Sequence, residues 1–156
     1  MENGILEGQT MGLELLEFIA GGNSYGINVK DIREILPYNK QPTTVPNSHP
    51  LIEGIIMPRD ILIPIVDLVK SLNLVDIDNL KREMLIVTCF YDLNIAFHVD
   101  SVVGMHKITN SNIIKPGKKQ STSVKDVVSG IFKSGDKRIE LLDLKVIIHE
   151  INPNIW

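Results

Sequence analysis

The chain has 156 residues, of which 44% are hydrophobic and 22% are charged, and this composition predicts a folded domain rather than a disordered chain. The net charge of -3 gives no overall attraction to nucleic acid or to an anionic membrane. The longest apolar runs fall well short of the roughly 18 residues that span a bilayer, and the start at Met1–Gly4 is unlike a signal peptide, so we expect a cytoplasmic protein.

The first part of the chain has the pattern of a β-hairpin. Leu13–Ala20 predicts a strand, Gly21–Asn23 supplies the positive φ angles of a tight turn, and Tyr25–Val29 alternates as the return strand. Lys30–Leu36 has apolar residues at helical spacing and precedes Pro37, so we predict one or two helical turns there.

A second hairpin follows a polar connector that contains several prolines. Leu51–Met57 and Ile61–Val66 are apolar runs that predict two strands, and Pro58–Asp60 lies between them as the turn. Asp67 is placed to cap a short helix that runs to Leu72. The first half is therefore predicted to contain two hairpins and a capped helix.

The second half repeats this plan. A shift of 76 positions places Gly54–Ile56 on Gly130–Phe132 and Asp67–Leu68 on Asp143–Leu144. A shift of 70 positions relates the first hairpins, and the change from 70 to 76 falls in a longer connector, His106–Lys125. Chance similarity between short hairpins is the alternative to a true repeat.

Each half supplies about five strands, which suits a small barrel that covers its own sheet edges. We therefore predict a single domain, residues 1–156, of mainly β structure. It contains two small barrel units, at roughly residues 13–72 and 83–150, and its function is protein–protein binding.

The sequence has no arrangement of residues that is typical of a catalytic or metal site. The four histidines lack metal-ligand spacing, and no glycine-rich phosphate-binding motif occurs. We therefore expect no enzyme activity, no metal and no cofactor. The basic run Lys115–Lys119 predicts a solvated loop, and the alternative of a different class is a small β-barrel that binds nucleic acid or a small ligand.

Three stretches carry a resemblance to a known family. They are Tyr25–Ile35, Val45–Ile55 and Arg59–Leu68, and Leu142–Leu144 supports them in the second half. In these stretches the chain resembles the CheW-like domain of bacterial chemotaxis. The resemblance implies two five-stranded SH3-like β-barrels with short helices. It also implies an adaptor that couples methyl-accepting chemoreceptor tips to the histidine kinase CheA, in receptor arrays that it joins without entering the membrane.

Two segments are more similar to CheV, a related coupling protein, than to plain CheW. They are Gly4–Gly8 with the strand that follows, and Pro46–Pro50 with Met57–Asp60. CheV proteins carry a receiver domain after the coupling domain. The alternative within the family is therefore the coupling domain of a CheV-type protein.

The resemblance also implies which residues bind the partners. Arg59 occupies the family's Arg-Gly turn, Glu34 is the acidic residue expected to meet it, and Asp60 stands where the family often has glycine. Asp tolerates left-handed backbone better than most residues, so we expect the turn to survive. We expect an apolar receptor groove between the two barrels, and its candidate walls are Val29, Ile32, Ile35, Val99 and Val102. The candidate kinase-binding residues are Lys40, Thr43, Thr44 and Val45.

Overall fold

The Ile-, Val- and Leu-rich runs form the strands of a mostly β structure, as the sequence predicts. The computed structural model describes residues 12–74, 81–115 and 126–155, so Gly4–Gly8 and most of the basic run Lys115–Lys119 lie outside the described residues. The elements are β1 (Gly12–Ala20), β2 (Asn23–Asn28), β3 (Ile32–Pro37), β4 (Ile52–Ile56), β5 (Ile63–Asp67), α1 (Leu68–Ser71), β6 (Met84–Phe90), β7 (Leu93–Val99), β8 (Ser101–Thr109), β9 (Ile113–Ile114), β10 (Val128–Ser134), β11 (Lys137–Leu142) and α2 (Leu144–Ile151). Within the described ranges, no helix is long and apolar enough to cross a membrane.

The described strands form two sheets, and each sheet takes strands from both halves of the chain. One sheet has six strands in the order β8-β1-β2-β11-β10-β9, and the other has five in the order β3-β6-β7-β5-β4. The pairs β2–β11 and β5–β7 are parallel, and the other paired strands are antiparallel. Both sheets follow one plan, because each combines the first hairpin of one half with the third strand and second hairpin of the other.

The sheets do not follow the predicted division into residues 13–72 and 83–150. The first hairpins are exchanged between the halves, so that β1 and β2 complete the sheet of the second half, while β6 and β7 complete that of the first. The predicted repeat of hairpin, connector, hairpin and capped helix is present. In the six-stranded sheet the two edge strands, β8 and β9, are joined by the short helical turn Asn110–Asn112, so the sheet curls back on itself.

Three apolar clusters hold the elements together. The largest draws on both sheets and both helices, and it includes Phe18 and Phe97, each 1% exposed. A second cluster lies within the five-stranded sheet and a third within the six-stranded one. The helices begin where predicted, because the side chains of Asp67 and Asp143 accept hydrogen bonds from the backbone amides of their first turns.

Two segments differ from the sequence-based predictions. Lys30–Leu36 is not helical beyond the single turn Val29–Asp31, because the chain then continues as β3 and pairs with β6. The β-branched Ile32 and Ile35 suit a strand better than a helix. His106 belongs to β8 and not to the connector, since β8 continues to Thr109 and pairs with β1 along its length.

Candidate interaction surface

An ion pair joins the two edges of the five-stranded sheet. Glu34 lies on the edge strand β3, and Arg59 lies in the short helical turn Pro58–Asp60 between β4 and β5. Arg59 Nη2 donates a hydrogen bond to Glu34 Oε2, so the predicted Glu34–Arg59 contact is confirmed. The two side chains are 58% and 23% exposed, which leaves the guanidinium accessible to a partner. Receptor binding by this pair stays a prediction.

The backbone of this turn is left-handed at two residues that are not glycine. Arg59 has a φ of 52° and Asp60 a φ of 66°, so the turn forms with Asp60 in place of glycine, as predicted. The position equivalent to Arg59 in the second half is Gly135, whose φ is 62°. Left-handed backbone costs a non-glycine residue about 1–2 kcal/mol. The left-handed backbone is therefore occupied by arginine in one half and by glycine in the other.

Exposed apolar side chains lie close in sequence to the charged pair. Met57 and Leu62 flank the turn and are 58% and 56% exposed, and Ile35 follows Glu34 on β3 and is 37% exposed. A charged group within an exposed apolar rim is typical of protein-binding surfaces, where the charge gives specificity and the rim gives buried area.

The candidate kinase-binding segment is held against the other edge strand, β4. Thr43 and Ile55 exchange two backbone hydrogen bonds, of 3.0 and 2.8 Å, outside the regular strands. Gly54 makes this approach possible, because a Cβ at that position would lie 2.6 Å from the Thr43 carbonyl oxygen. Four side chains of the segment are exposed: Lys40, Thr43, Thr44 and Val45. Their contact with a kinase remains a prediction.

The predicted groove walls divide into two groups. Val29, Ile32 and Val102 are partly buried and pack against the largest cluster, while Ile35 is exposed. Val99 is 0% exposed, so its assignment to the groove is wrong. The reason is its position on β7, an inner strand of the five-stranded sheet, where the side chains from residue 95 to 99 are all buried.

Sequence reasoning did not find a cluster of side chains around His98, where the connector begins. His98 Nδ1 lies 2.9 and 3.0 Å from the two carboxylate oxygens of Glu53, and its Nε2 donates to the Arg82 carbonyl across 3.1 Å. The ring of Tyr38, where the connector begins, stacks on the His98 ring at 4.0 Å between centroids. Burial, together with the charge of Glu53, raises the pKa of the Tyr38 hydroxyl. A histidine inside an otherwise apolar strand was the available signal.

The part of the chain that the structure describes contains no group of three or more His, Cys, Asp and Glu side chains that could hold a metal ion. The surface consists of the Glu34–Arg59 ion pair, exposed apolar side chains and the exposed connector that is hydrogen-bonded to β4. Its chemistry is that of recognition, because a partner can bury the rim and pair with the Arg59 guanidinium.

Comparison with known proteins gives one consistent result. A sequence profile described as "CheW-like domain" matches residues 14–152. Chemotaxis protein CheW of Thermotoga maritima is 30% identical over 142 residues, which cover 88% of this chain and 89% of that protein. Chemotaxis protein CheV3 of Helicobacter pylori is 29% identical over 135 residues, but these are 83% of this chain and 42% of that protein. The crystal structure of scaffolding protein TtCheW from Thermoanaerobacter tengcongensis superposes with a TM-score of 0.80 at 26% identity, over 94% of this chain and 98% of that one.

Proposed function

The chain belongs to the CheW-like domain family, and from that premise we propose that it is a non-catalytic adaptor that couples methyl-accepting chemoreceptors to the histidine kinase CheA. The observation that carries the proposal is the Glu34–Arg59 pair on a strained turn. The ion pair itself adds only about 0–1 kcal/mol to stability because it is exposed. The strained backbone at Arg59 supports a role for its side chain in binding.

The receptor surface in this proposal surrounds that turn. Receptor tips are helical hairpins, and an amphipathic helix binds by placing its apolar face in an apolar groove. Glu34, Arg59 and Asp60 fix the orientation of the helix through charge. The apolar contacts come from Ile35 and from the accessible parts of Val29, Ile32 and Val102.

The kinase surface is the connector beside β4. Lys40, Thr43, Thr44 and Val45 are exposed, and the backbone bonds between Thr43 and Ile55 fix the segment before any partner arrives. A segment that is already ordered loses less conformational entropy on binding, which favours affinity. Binding to both partners would bring the protein to receptor arrays at the cytoplasmic face of the membrane.

Reconstitution of the three-component complex tests this function. The chain is mixed with a receptor signalling fragment and CheA, and both complex formation and autophosphorylation of CheA are measured. We expect Arg59→Glu to weaken receptor binding about tenfold or more while CheA binding is retained, and the double reversal Glu34→Arg with Arg59→Glu to recover part of the loss.

Arg138→Glu is the matched control, because Arg138 is 51% exposed and lies near an acidic partner, Glu140, on the other sheet. We expect this variant to bind both partners normally. Receptor binding that survives Arg59→Glu would refute the role of the pair. Absence of a ternary complex with the unaltered chain would refute the coupling function, and steeply salt-dependent binding to single-stranded DNA would favour the nucleic-acid alternative.

The alternative within the family is the coupling domain of a CheV-type protein. The match to CheV3, which spans 42% of that protein, is the observation that favours it. Sequencing the reading frame beyond Trp156 tests it, because a following receiver domain with a phosphorylatable aspartate would assign the chain to this type. A stop codon there would assign it to the CheW type.

A further inference from the structure

A buried carboxylate lies inside the six-stranded sheet. The Glu17 side chain on β1 is 2% exposed, and both of its oxygens are bonded. His106 Nε2 donates to Oε1 across 2.8 Å, and Lys137 Nζ donates to Oε2 across 2.8 Å. We refer to Glu17, His106 and Lys137 as the interior trio. A carboxylate buried to this degree is tolerated only while its charge is paired and hydrogen-bonded.

The repeat indicates that the fold itself does not require the interior trio. The shifts that relate the two halves place its three members on Val87, Leu36 and Ile61, respectively. The strand registers give the same equivalence, because Glu17 lies opposite Gly104 in one sheet and Val87 lies opposite Glu34 in the other. All three equivalent residues belong to the apolar cluster of the five-stranded sheet. The same architecture is therefore built once with an apolar interior and once with a charged one.

The interior trio ties an edge strand to the sheet. β8 is an edge strand whose hydrogen-bonded neighbour is β1, and the Glu17–His106 contact adds a side-chain bond between these two strands. Next to this contact the strand register shifts, leaving Val103 on β8 without an opposite residue. Separation of β8 from β1 would let water reach the Glu17 carboxylate while the rest of the sheet stays folded.

We propose that the interior trio is a latch that controls the opening of β8, and that this latch is built into one of the two equivalent units. While the hydrogen bonds of His106 and Lys137 to Glu17 are in place, β8 stays on the sheet. Loss of His106 leaves Oε1 of the buried Glu17 carboxylate without its hydrogen bond, and opening of β8 lets water replace that bond. The unit that contains the equivalent edge strand β3 has apolar residues at the three equivalent positions, so β3 does not depend on such a latch.

The groups that face Glu17 support the latch. Lys137 from β11 and His106 from β8 are the charged or titratable side chains that act on it, while β2 places Gly26 opposite it and β10 places Phe132 against the His106 ring. Burial raises the pKa of the Glu17 carboxyl, but the bonds and charges of Lys137 and His106 outweigh burial and hold the pKa below its ordinary 4.5. The Glu17 carboxyl is therefore ionised above pH 4.5, and the latch is lost as the pH falls through the folded-state pKa of Glu17.

Amide hydrogen exchange on the isolated chain tests the latch without any partner protein. Exchange of the β8 amides is measured in the unaltered chain and in His106→Leu, with the β3 amides as the internal control. We expect β8 in His106→Leu to exchange at least about tenfold faster, with β3 unchanged. The triple variant Glu17→Val, His106→Leu, Lys137→Ile installs the apolar set of the other unit, and we expect β8 exchange to return to the unaltered rate.

Two results would overturn the latch. One is a triple variant whose β8 exchanges as fast as in His106→Leu, and the other is an equal acceleration of β3 and β8 in the single variant. If the variants do not fold, the pH dependence of β8 amide exchange in the unaltered chain tests the latch. After correction for intrinsic exchange rates, opening of β8 must increase below pH 4.5, and a constant value through that range refutes the latch.

Discussion

Substitution of Gly54 by alanine should displace the connector that carries the candidate kinase-binding residues. The added Cβ would lie 2.6 Å from the Thr43 carbonyl oxygen and 3.0 Å from the Pro42 Cβ, distances at which backbone has to move. If the connector moves, the two hydrogen bonds between Thr43 and Ile55 are lost, at about 0.5–1.5 kcal/mol each. If it does not move, the overpacking strain is about 1–3 kcal/mol. Either way we expect Gly54→Ala to lower the free energy of unfolding by about 1–3 kcal/mol.

Denaturant unfolding measures the loss of stability, and a CheA-binding assay measures the effect of displacing the connector. A loss of this size lowers Tm by about 2–4 °C per kcal/mol in a chain of this length. Gly104→Ala is the matched control, because a Cβ on that strand residue would have no heavy atom within 4 Å, and we expect its stability to be unchanged or slightly higher. Equal stability of Gly54→Ala and the unaltered chain would refute the steric reasoning. A destabilised Gly54→Ala that binds CheA normally would refute the role of the connector.

Three further predictions concern the core, a helix cap and the buried carboxylate. Ile65→Ala should lower the free energy of unfolding by about 2–5 kcal/mol in urea titrations, because Ile65 is 0% exposed. Leu62 is 56% exposed, so Leu62→Ala should change the free energy of unfolding by about 0.5 kcal/mol or less. Asp143→Ala should cost about 0.5–2 kcal/mol, measured in the same way, because it removes the side chain that caps α2; an unchanged stability would contradict the capping role. Glu17→Gln should be less stable than the unaltered chain by about 1.5–3 kcal/mol at neutral pH. The difference should shrink as the pH falls below 4.5, because the lowered pKa of Glu17 means that only its ionised carboxyl stabilises the fold. A difference that is the same at both pH values would show that the charge of Glu17 is not its source.

Local chemistry explains which parts of the fold could be predicted. The Gly21–Gly22 turn and the helix caps at Asp67 and Asp143 depend on residues close together in sequence, and each formed where it was predicted. The exchange of hairpins depends on which distant strands pair, and short apolar runs of similar composition do not encode that choice. Lys30–Leu36 was misassigned because a run this short fits helical and strand spacing equally well, and pairing with β6 decides between them.

The site was predictable to a similar extent. The family resemblance placed Glu34 opposite Arg59, and the contact is present. It also placed Val99 in a groove, because the apolar character of a residue does not reveal whether both faces of its strand are covered. The contact between His98 and Glu53 joins residues that are 45 positions apart in the chain, so no local sequence pattern predicts it.

The two units differ at their paired positions in a way that gives one scaffold two different surfaces. The five-stranded sheet carries the exposed pair Glu34 and Arg59, and the equivalent positions on the six-stranded sheet are Gly104 and Gly135. The five-stranded sheet has apolar residues at the positions where the six-stranded sheet carries the interior trio. A symmetric pair of units would present the same surface twice and could not distinguish two partners. Charges at different positions in the two units remove that symmetry while the shared strand order is kept, which suits the proposed adaptor for two different proteins.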